Sequence, residues 1–368
     1  MKLPLLSELE VEQLDVYTHP ANKSVIVVGP PGSGKTTLAI WRALFVARQG
    51  QNVVLITRNR MLAAMARQLA SEGEGGSFVT TTMQSFVWQD CIEAIKEPPN
   101  GGNGDYTIDW PKISKKFRAQ GVKRRIDHLI VDEGQNLPAG FFIWANEFCS
   151  PTMSIFADEH QTTVDEGSTM QDLRKLGIPD WLRLMFNHRN TEEIARLSGW
   201  FHKDRMLPQT IARRGSSGDV PRVIEVVGSA WDDLAQMAAD RLSNVGGSIG
   251  VITYEQNDVE AIYAAIRNVA PGLRVDRYHS GKPKGAENFR IRDDGVTVLS
   301  SESAIGLEFD TVFLQDLSRS LPSDNEVANR RLYMLTARAR DRLSLVNGPR
   351  KLKPAQLDSL PSLPYLVR

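Results

Sequence analysis

Apolar and polar positions alternate along the chain in two recurring patterns, one of short β-branched runs and one of helical spacing. The run Ser24-Val-Ile-Val-Val28 reads as a buried strand, and residues 36–48 read as the helix that follows it. A second strand is expected over 52–57 and a third over 78–81. Between them, residues 61–70 carry apolar positions at helical spacing until Gly73-Glu-Gly-Gly76 stops them. Two further buried strands are expected at 128–133 and 153–158. Ahead of all these, residues 6–17 read as a short helix ended by His19-Pro20. Residues 96–125 read as irregular. Their basic run of Lys115, Lys116, Arg118, Lys123, Arg124 and Arg125 fits a solvated helix face or a phosphate-contacting one equally well.

From about Leu182 the alternation restarts. A helix is expected over 191–202, strands over 222–226, 248–253, 296–300, 311–314 and 343–346, and a loop over 281–288. Strands alternating with helices predict parallel sheets wrapped by helices, with ligands gathered at the carboxyl ends of the strands. The expected organisation is a first α/β domain over 1–181, a second over 182–350, and a Pro-rich tail over 351–368 lying on the surface.

One stretch changes this picture from fold to chemistry. Gly29-Pro-Pro-Gly-Ser-Gly-Lys-Thr-Thr37 follows the first strand and opens the first long helix. Gly29, Gly34, Lys35 and Thr36 fit the phosphate-loop pattern. Small residues such as Gly32 and Ser33 let consecutive backbone N–H groups turn inward around a di- or triphosphate, and the helix N-terminus at Thr36 and Thr37 adds its positive end. Lys35 supplies a compact positive charge for the β- and γ-phosphates, and the Thr36 hydroxyl is suited to Mg²⁺. Asp132-Glu133, two acids at the end of a buried strand, are the expected partners. Asp132 is expected to hold Mg²⁺ beside Thr36, and Glu133 to orient and deprotonate the attacking water.

Composition narrows the partners only slightly. The 368 residues are 41% hydrophobic and 24% charged, as in a soluble globular protein with two ordinary domains, and no apolar run approaches a membrane span. Acidic residues follow Met1-Lys-Leu-Pro-Leu-Leu6 closely, so no cleavable leader is expected. Cys91 and Cys149 are the only cysteines, which suits a reducing cytoplasm. With 44 basic and 44 acidic residues, net charge says nothing about nucleic acid, and any such partner must be argued from local sites.

Several short segments, taken in order, resemble the UvrD/Rep-like branch of the superfamily 1 helicases, in islands from about Leu9 to Leu345. Leu9-Glu-Val-Glu-Gln13 resembles the family's glutamine motif, which implies that Gln13 reads adenine. Thr57-Arg58-Asn59-Arg60 and Thr82-Met-Gln84-Ser85-Phe86 resemble segments that touch single-stranded DNA. Asp132-Glu-Gly-Gln135 resembles Asp-Glu-x-Gln, and Ala157-Asp-Glu-His-Gln161 resembles Gly-Asp-x-x-Gln, which makes Gln161 a γ-phosphate sensor. Asn187-His-Arg-Asn190 resembles Asn-Tyr-Arg-Ser, with Arg189 on the γ-phosphate and His188 stacked on adenine. Ala304-Ile-Gly-Leu-Glu-Phe-Asp310 resembles the segment whose Glu308 reaches the ribose. The segment from Arg330 to Arg340 resembles the last motif, with Arg338 as a second arginine finger. The resemblance implies two RecA-like domains in tandem, ATP and Mg²⁺ in the cleft between them, and translocation on single-stranded DNA or RNA with 3′-to-5′ polarity.

The sequence also departs from the family. The windows at 87–127 and 280–295 are too short for the family's large insertions. Gln84 replaces a His, and Glu302 and Ile305 replace a His and a Lys. Thr162-Thr-Val-Asp-Glu-Gly-Ser168 replaces a base-stacking Tyr and Trp-Arg-Gly. Stacking contributes about 1–3 kcal/mol per base, so the strand grip is expected to be weaker. The expected function is therefore an ATP-driven motor on single-stranded nucleic acid. The alternative is a nucleotide-gated switch working with a protein partner that supplies the missing accessory functions, as with a nuclease in DNA repair or phage defence. A small-molecule kinase is the third reading, opposed by the second α/β domain.

Overall fold

Strands buried on both faces belong to sheets covered by helices on both sides. The computed structural model, which describes residues 6–57, 77–99, 107–158, 167–202, 211–227, 230–278, 294–304, 306–315, 317–323, 325–348 and 350–368, contains two such sheets. The chain falls into two units, one made largely of residues up to Leu184 and the other of Met185 onward.

The first unit carries β1 (Val25–Val28), β2 (Val53–Thr57), β3 (Val79–Thr82), β4 (His128–Val131), β5 (Met153–Ala157) and β6 (Asp180–Arg183). Every residue of β1, β2, β4 and β5 is buried, while the edge strands β3 and β6 are partly exposed. All pairings are parallel, in the order β3-β2-β4-β5-β1-β6. Thus β5 separates the strand that leads to the phosphate loop from the strand that leads to Asp132. Because β6 pairs with β1, the first sheet continues through Arg183. Helices α1 (Val11–Thr18), α2 (Lys35–Arg48), α3 (Met83–Ile95), α4 (Trp110–Ala119) and α5 (Ala139–Phe148) accompany the sheet. The expected helix over 61–70 lies outside the described residues.

The helix α4 stands where irregular chain was expected. Its N-cap Asp109 accepts a hydrogen bond from the Lys112 N–H at 3.1 Å, Pro111 sits in its first turn, and Ile113 and Phe117, four residues apart, are buried. Phe117 packs edge-on to Trp144 of α5, within a core that also holds Phe141 and Phe148. Three of the six residues in the basic run around this helix are matched by nearby acids. Arg118 makes two bonds to Glu147 at 2.6 and 2.7 Å, Lys116 pairs with Glu97, and Arg125 pairs with Asp90 and Glu93.

Two buried polar residues tie the first unit together over long sequence separations. Arg42 of α2, fully buried, donates to the carbonyls of Tyr17, His19 and Pro20, and so holds the end of α1 against α2. Burial lowers its pKa only to about 10, so it stays charged. His128, at the start of β4, lies between the Ala21 carbonyl at 2.9 Å and the Ser154 hydroxyl at 2.8 Å. A carbonyl can only accept, so Nδ1 carries the proton and Nε2 accepts from Ser154. Burial first, and the Arg42 charge second, push this histidine down to about 4 from an ordinary 6.5. The folded state therefore holds it neutral, while the unfolded chain takes up a proton below about 6.5. Its contribution is fully present above pH 6.5 and is lost as pH falls toward 4, a loss of up to about 3 kcal/mol. Urea unfolding between pH 7 and pH 4 should show this loss in the wild type and a shallower one in His128→Gln.

The second unit opens with a two-stranded parallel pair, β7 (Phe186–Asn187) and β8 (Ile211–Ala212). Its main sheet comprises β9 (Arg222–Glu225), β10 (Ser248–Thr253), β11 (Val275–Tyr278), β12 (Gly295–Ser300), β13 (Phe309–Gln315) and β14 (Ala339–Asn347). The order is β11-β12-β10-β13-β14-β9, again with every pairing parallel. Two six-stranded parallel sheets in tandem are the α/β architecture expected of RecA-like domains. The C-terminal segment does more than lie on the surface. Leu352, Leu360 and Leu366 are buried, and Val367 exchanges backbone bonds with the edge of β9, its N–H reaching Pro221 O at 2.9 Å and its carbonyl accepting from Val223 N at 2.8 Å. An edge strand with open backbone groups is a ready place for such an attachment. Among the described residues, no helix is long and apolar enough to cross a membrane.

Candidate nucleotide-phosphate site

The phosphate loop leaves the carboxyl end of β1 and is tied at once to its neighbour, as Gly29 N–H donates to Ala157 O at the end of β5. Gly32 (φ +80°) and Gly34 (φ +86°) adopt the left-handed region, which only glycine enters without strain. Gly34 is also the N-cap of α2. No side chain caps that helix, so its first-turn N–H groups are left for an anion. Lys35, buried at the first position of α2, donates to the carbonyls of Gly29 at 2.7 Å and Pro30 at 2.8 Å. Its ammonium also pairs with Asp158 Oδ2 at 3.3 Å. Ser33 is buried, and Thr36 and Thr37 are half-buried.

Gln13 joins the loop from α1. Its Oε1 accepts from the Glu10 N–H at 3.1 Å, and its Nε2 lies 3.2 Å from where a Cβ on Gly34 would stand. The capping bond that begins α1 therefore also fixes an amide against the loop.

Asp132 follows β4 and is 1% exposed. Neither of its carboxylate oxygens meets a hydrogen-bond donor at good geometry, although the Thr36 hydroxyl stands near enough to favour the charged form. Burial first, and the neighbouring Glu133 charge second, raise its pKa to about 7, against the pull of Thr36 and Lys35. A buried carboxylate with open lone pairs beside a hydroxyl has the donor chemistry of a hard divalent cation. Among the described residues no group of three or more His, Cys, Asp or Glu is placed to hold a metal ion. One carboxylate and one hydroxyl suit Mg²⁺, which keeps most of its shell as water and phosphate oxygens.

Glu133 is one of two non-glycine residues with positive φ among those described, at +56°. That backbone opens the short turn Gly134–Asn136 and holds the side chain inside, 5% exposed. Its Oε2 accepts from Gln135 Nε2 at 2.6 Å and from Asn136 Nδ2 at 3.4 Å. Gln135, fully buried, turns its Oε1 to the Asp158 N–H at 3.0 Å. Gln135, Asn136 and Asp158 were not among the residues expected to act. For Asp158 a signal existed, an acid following the strand whose Ala157 stands in register with Val28.

In the second unit, Arg189 donates through Nε to Glu308 at 2.6 Å and through Nη1 to Ala337 O at 3.4 Å. Asn190 Nδ2 donates to the carbonyls of Ala337 and Ala339. The segments holding the two expected arginine fingers are thus stitched to each other. Arg338 itself is 2% exposed, and it donates to Met334 O at 2.9 Å and Leu307 O at 3.3 Å. Glu308, expected to reach a ribose, here pairs with Arg189. His188 is half-buried with its ring edge-on to Phe186.

The expected nucleic-acid residues divide. Thr57 and Thr82 stand in register at the carboxyl ends of β2 and β3, and both are buried. Thr82 caps α3, accepting from the Ser85 N–H at 3.3 Å with its hydroxyl 3.0 Å from that of Ser85. Gln84 is exposed. Arg58, Asn59 and Gln161 lie outside the described residues.

Residues 9–92 match a protein family described as IstB-like ATP binding protein. That span contains Gln13, the whole phosphate loop and strands β1 to β3, and ends within α3. Asp132, Glu133 and the second unit lie beyond it. No curated protein matches the chain. Among solved structures, the PRRSV helicase is similar at 14% identity with a TM-score of 0.45, covering 95% of this chain and 57% of that one. The C-terminal domain of a possible DNA helicase from Lactobacillus plantarum WCFS1 is similar at 22% identity with a TM-score of 0.35, covering 49% of this chain and 97% of that one. This chain thus spans little more than half the length of the PRRSV helicase.

Proposed function

We propose that this chain is an ATP-hydrolysing motor of the superfamily 1 helicase type, moving on single-stranded nucleic acid. The observation that carries the reading is the buried, open carboxylate of Asp132 beside Thr36, one residue from a carboxylate held inside the fold at Glu133. The likeness of residues 9–92 to an ATP-binding family supports the choice of nucleotide.

In this reading the loop N–H groups, Lys35 and the α2 N-terminus bind the β- and γ-phosphates, with Ser33, Thr36 and Thr37 lining the turn. Gln13 reads the adenine edge. Asp132 and Thr36 hold Mg²⁺, which when bound neutralises phosphate charge. Glu133 accepts the proton of the attacking water. Arg189, Arg338 and Gln161 answer the γ-phosphate, while His188 and Glu308 contact the nucleoside, as the resemblance implies. Before they can do so, Arg189 must leave Glu308 and Arg338 must leave the carbonyls of Met334 and Leu307. Thr57, Arg58, Asn59, Thr82, Gln84 and Ser85 form the proposed strand contact, with DNA as the track and 3′-to-5′ as the polarity. A cytoplasmic setting accords with the two buried free thiols.

A second reading, a nucleotide-gated switch worked by a protein partner, is favoured by one observation. Three of the six residues in the basic run near α4, Lys116, Arg118 and Arg125, are paired with Glu97, Glu147, Asp90 and Glu93, which leaves fewer of them for phosphates. ATPase assays with and without single-stranded DNA or RNA, at two salt concentrations, separate the two. The motor reading expects severalfold stimulation that weakens as salt rises. Turnover that no strand stimulates at low salt would sink it and leave the switch.

A further inference from the structure

Glu133 cannot act as a base unless something sets its orientation, because a three-χ carboxylate in a turn has several rotamers open to it. We propose that Gln135 and Asn136 are the positioning residues for this carboxylate, and that Gln135 also ties it to the phosphate loop's lysine. This rests on the ATPase reading of the site.

The geometry is a single connected path. Both amides donate to the same oxygen, Glu133 Oε2, which leaves Oε1 as the oxygen available to a water. Gln135 spends its other end on the Asp158 N–H, and the Asp158 carboxylate meets the Lys35 ammonium. A glutamine is suited to this because one planar group carries a donor and an acceptor that point apart. An aliphatic side chain of the same size would fill the space and make neither bond. The left-handed backbone at Glu133 and the short turn after it bring all three side chains to one side of the turn. When a γ-phosphate competes for Lys35, the Asp158 end of the path is the first to change. The orientation of the base is thereby linked to the presence of its target, through Gln135.

Two variants of the full chain test this. Gln135→Met keeps the volume and removes both bonds, and Asn136→Ser shortens the second donor. The measurements are kcat for ATP, Kd for a fluorescent ATP analogue with Mg²⁺, and the thermal midpoint. The expected result is a fall in kcat of at least tenfold for Gln135→Met and of severalfold for Asn136→Ser, with Kd within twofold in both, and a lower midpoint in Gln135→Met because the Asp158 N–H loses its buried acceptor. Wild-type kcat in either folded variant overturns the proposal. So does a parallel loss of kcat, affinity and midpoint, which is the mark of a merely structural role. If Gln135→Met does not fold, Asn136→Ser decides alone. Should the wild-type protein itself not hydrolyse ATP, the ATPase reading fails before this inference is reached.

Discussion

Glu133→Gln is expected to lower ATP turnover by about 10²–10⁴-fold while leaving nucleotide bound, the range associated with removing a general base. The substitution is nearly isosteric, and its amide oxygen can still accept from Gln135 and Asn136, so the turn over Gly134–Asn136 should persist. What disappears is one of two buried neighbouring charges. Asp132 is pushed up to about 7 by burial first and by the Glu133 charge second, so neutralising Glu133 lets Asp132 ionise more readily. Binding of Mg²⁺-nucleotide near pH 7 should therefore hold or tighten even as hydrolysis stops. Single-turnover hydrolysis and equilibrium binding check the two halves separately. Wild-type hydrolysis in this variant would remove Glu133 as the base.

Lys35→Ala is expected to abolish measurable turnover by a different route, through binding. A charge-assisted hydrogen bond is worth about 1.5–3 kcal/mol, which corresponds to roughly a 10–100-fold loss of ATP affinity before any effect on the reaction itself. The same change alters the nucleotide-free protein. Lys35 is the ammonium that faces the buried Asp158 and the donor that meets the Gly29 and Pro30 carbonyls. Breaking one side of a buried ion pair costs about 3–5 kcal/mol, so the thermal midpoint should fall without ligand as well. A variant that kept wild-type stability would show that Asp158 does not depend on this lysine. These two substitutions thus separate a loss of chemistry from a loss of grip.

Most of the strands could be read from the chain because runs such as Val25–Val28 and Ser248–Thr253 are continuous, β-branched and bounded by turn residues. The phosphate loop was equally plain, since its glycines are demanded by backbone geometry that any reader of sequence can recognise. The helix α4 was not, because its apolar contribution is narrow, Ile113 and Phe117 among many basic residues. The charges there fitted a solvated face and a phosphate-contacting one equally well, and the acids that pair with three of them lie 19 to 35 positions away. Gln135 was visible as a letter in a short pattern, yet its role needs Asp158, 23 residues later, at the end of a neighbouring strand. Arg42 gave no signal at all. An arginine in a helix reads as a solvated residue until the three carbonyls it satisfies are brought to it by the turn after α1. Local pattern announces elements, whereas the pairing of buried polar groups depends on which strands end up side by side.

The Ala337 carbonyl receives a bond from Arg189 and another from Asn190, and the next residue in the chain is Arg338. The two guanidinium groups therefore hang from one short piece of backbone, although 149 positions separate them in sequence. Neither can be re-aimed alone by a change in that turn. A mutation there would act as a double lesion, and the harm from losing one arginine would already include part of the harm from losing the other. Their separate contributions are thus not a sum, because both depend on one short turn.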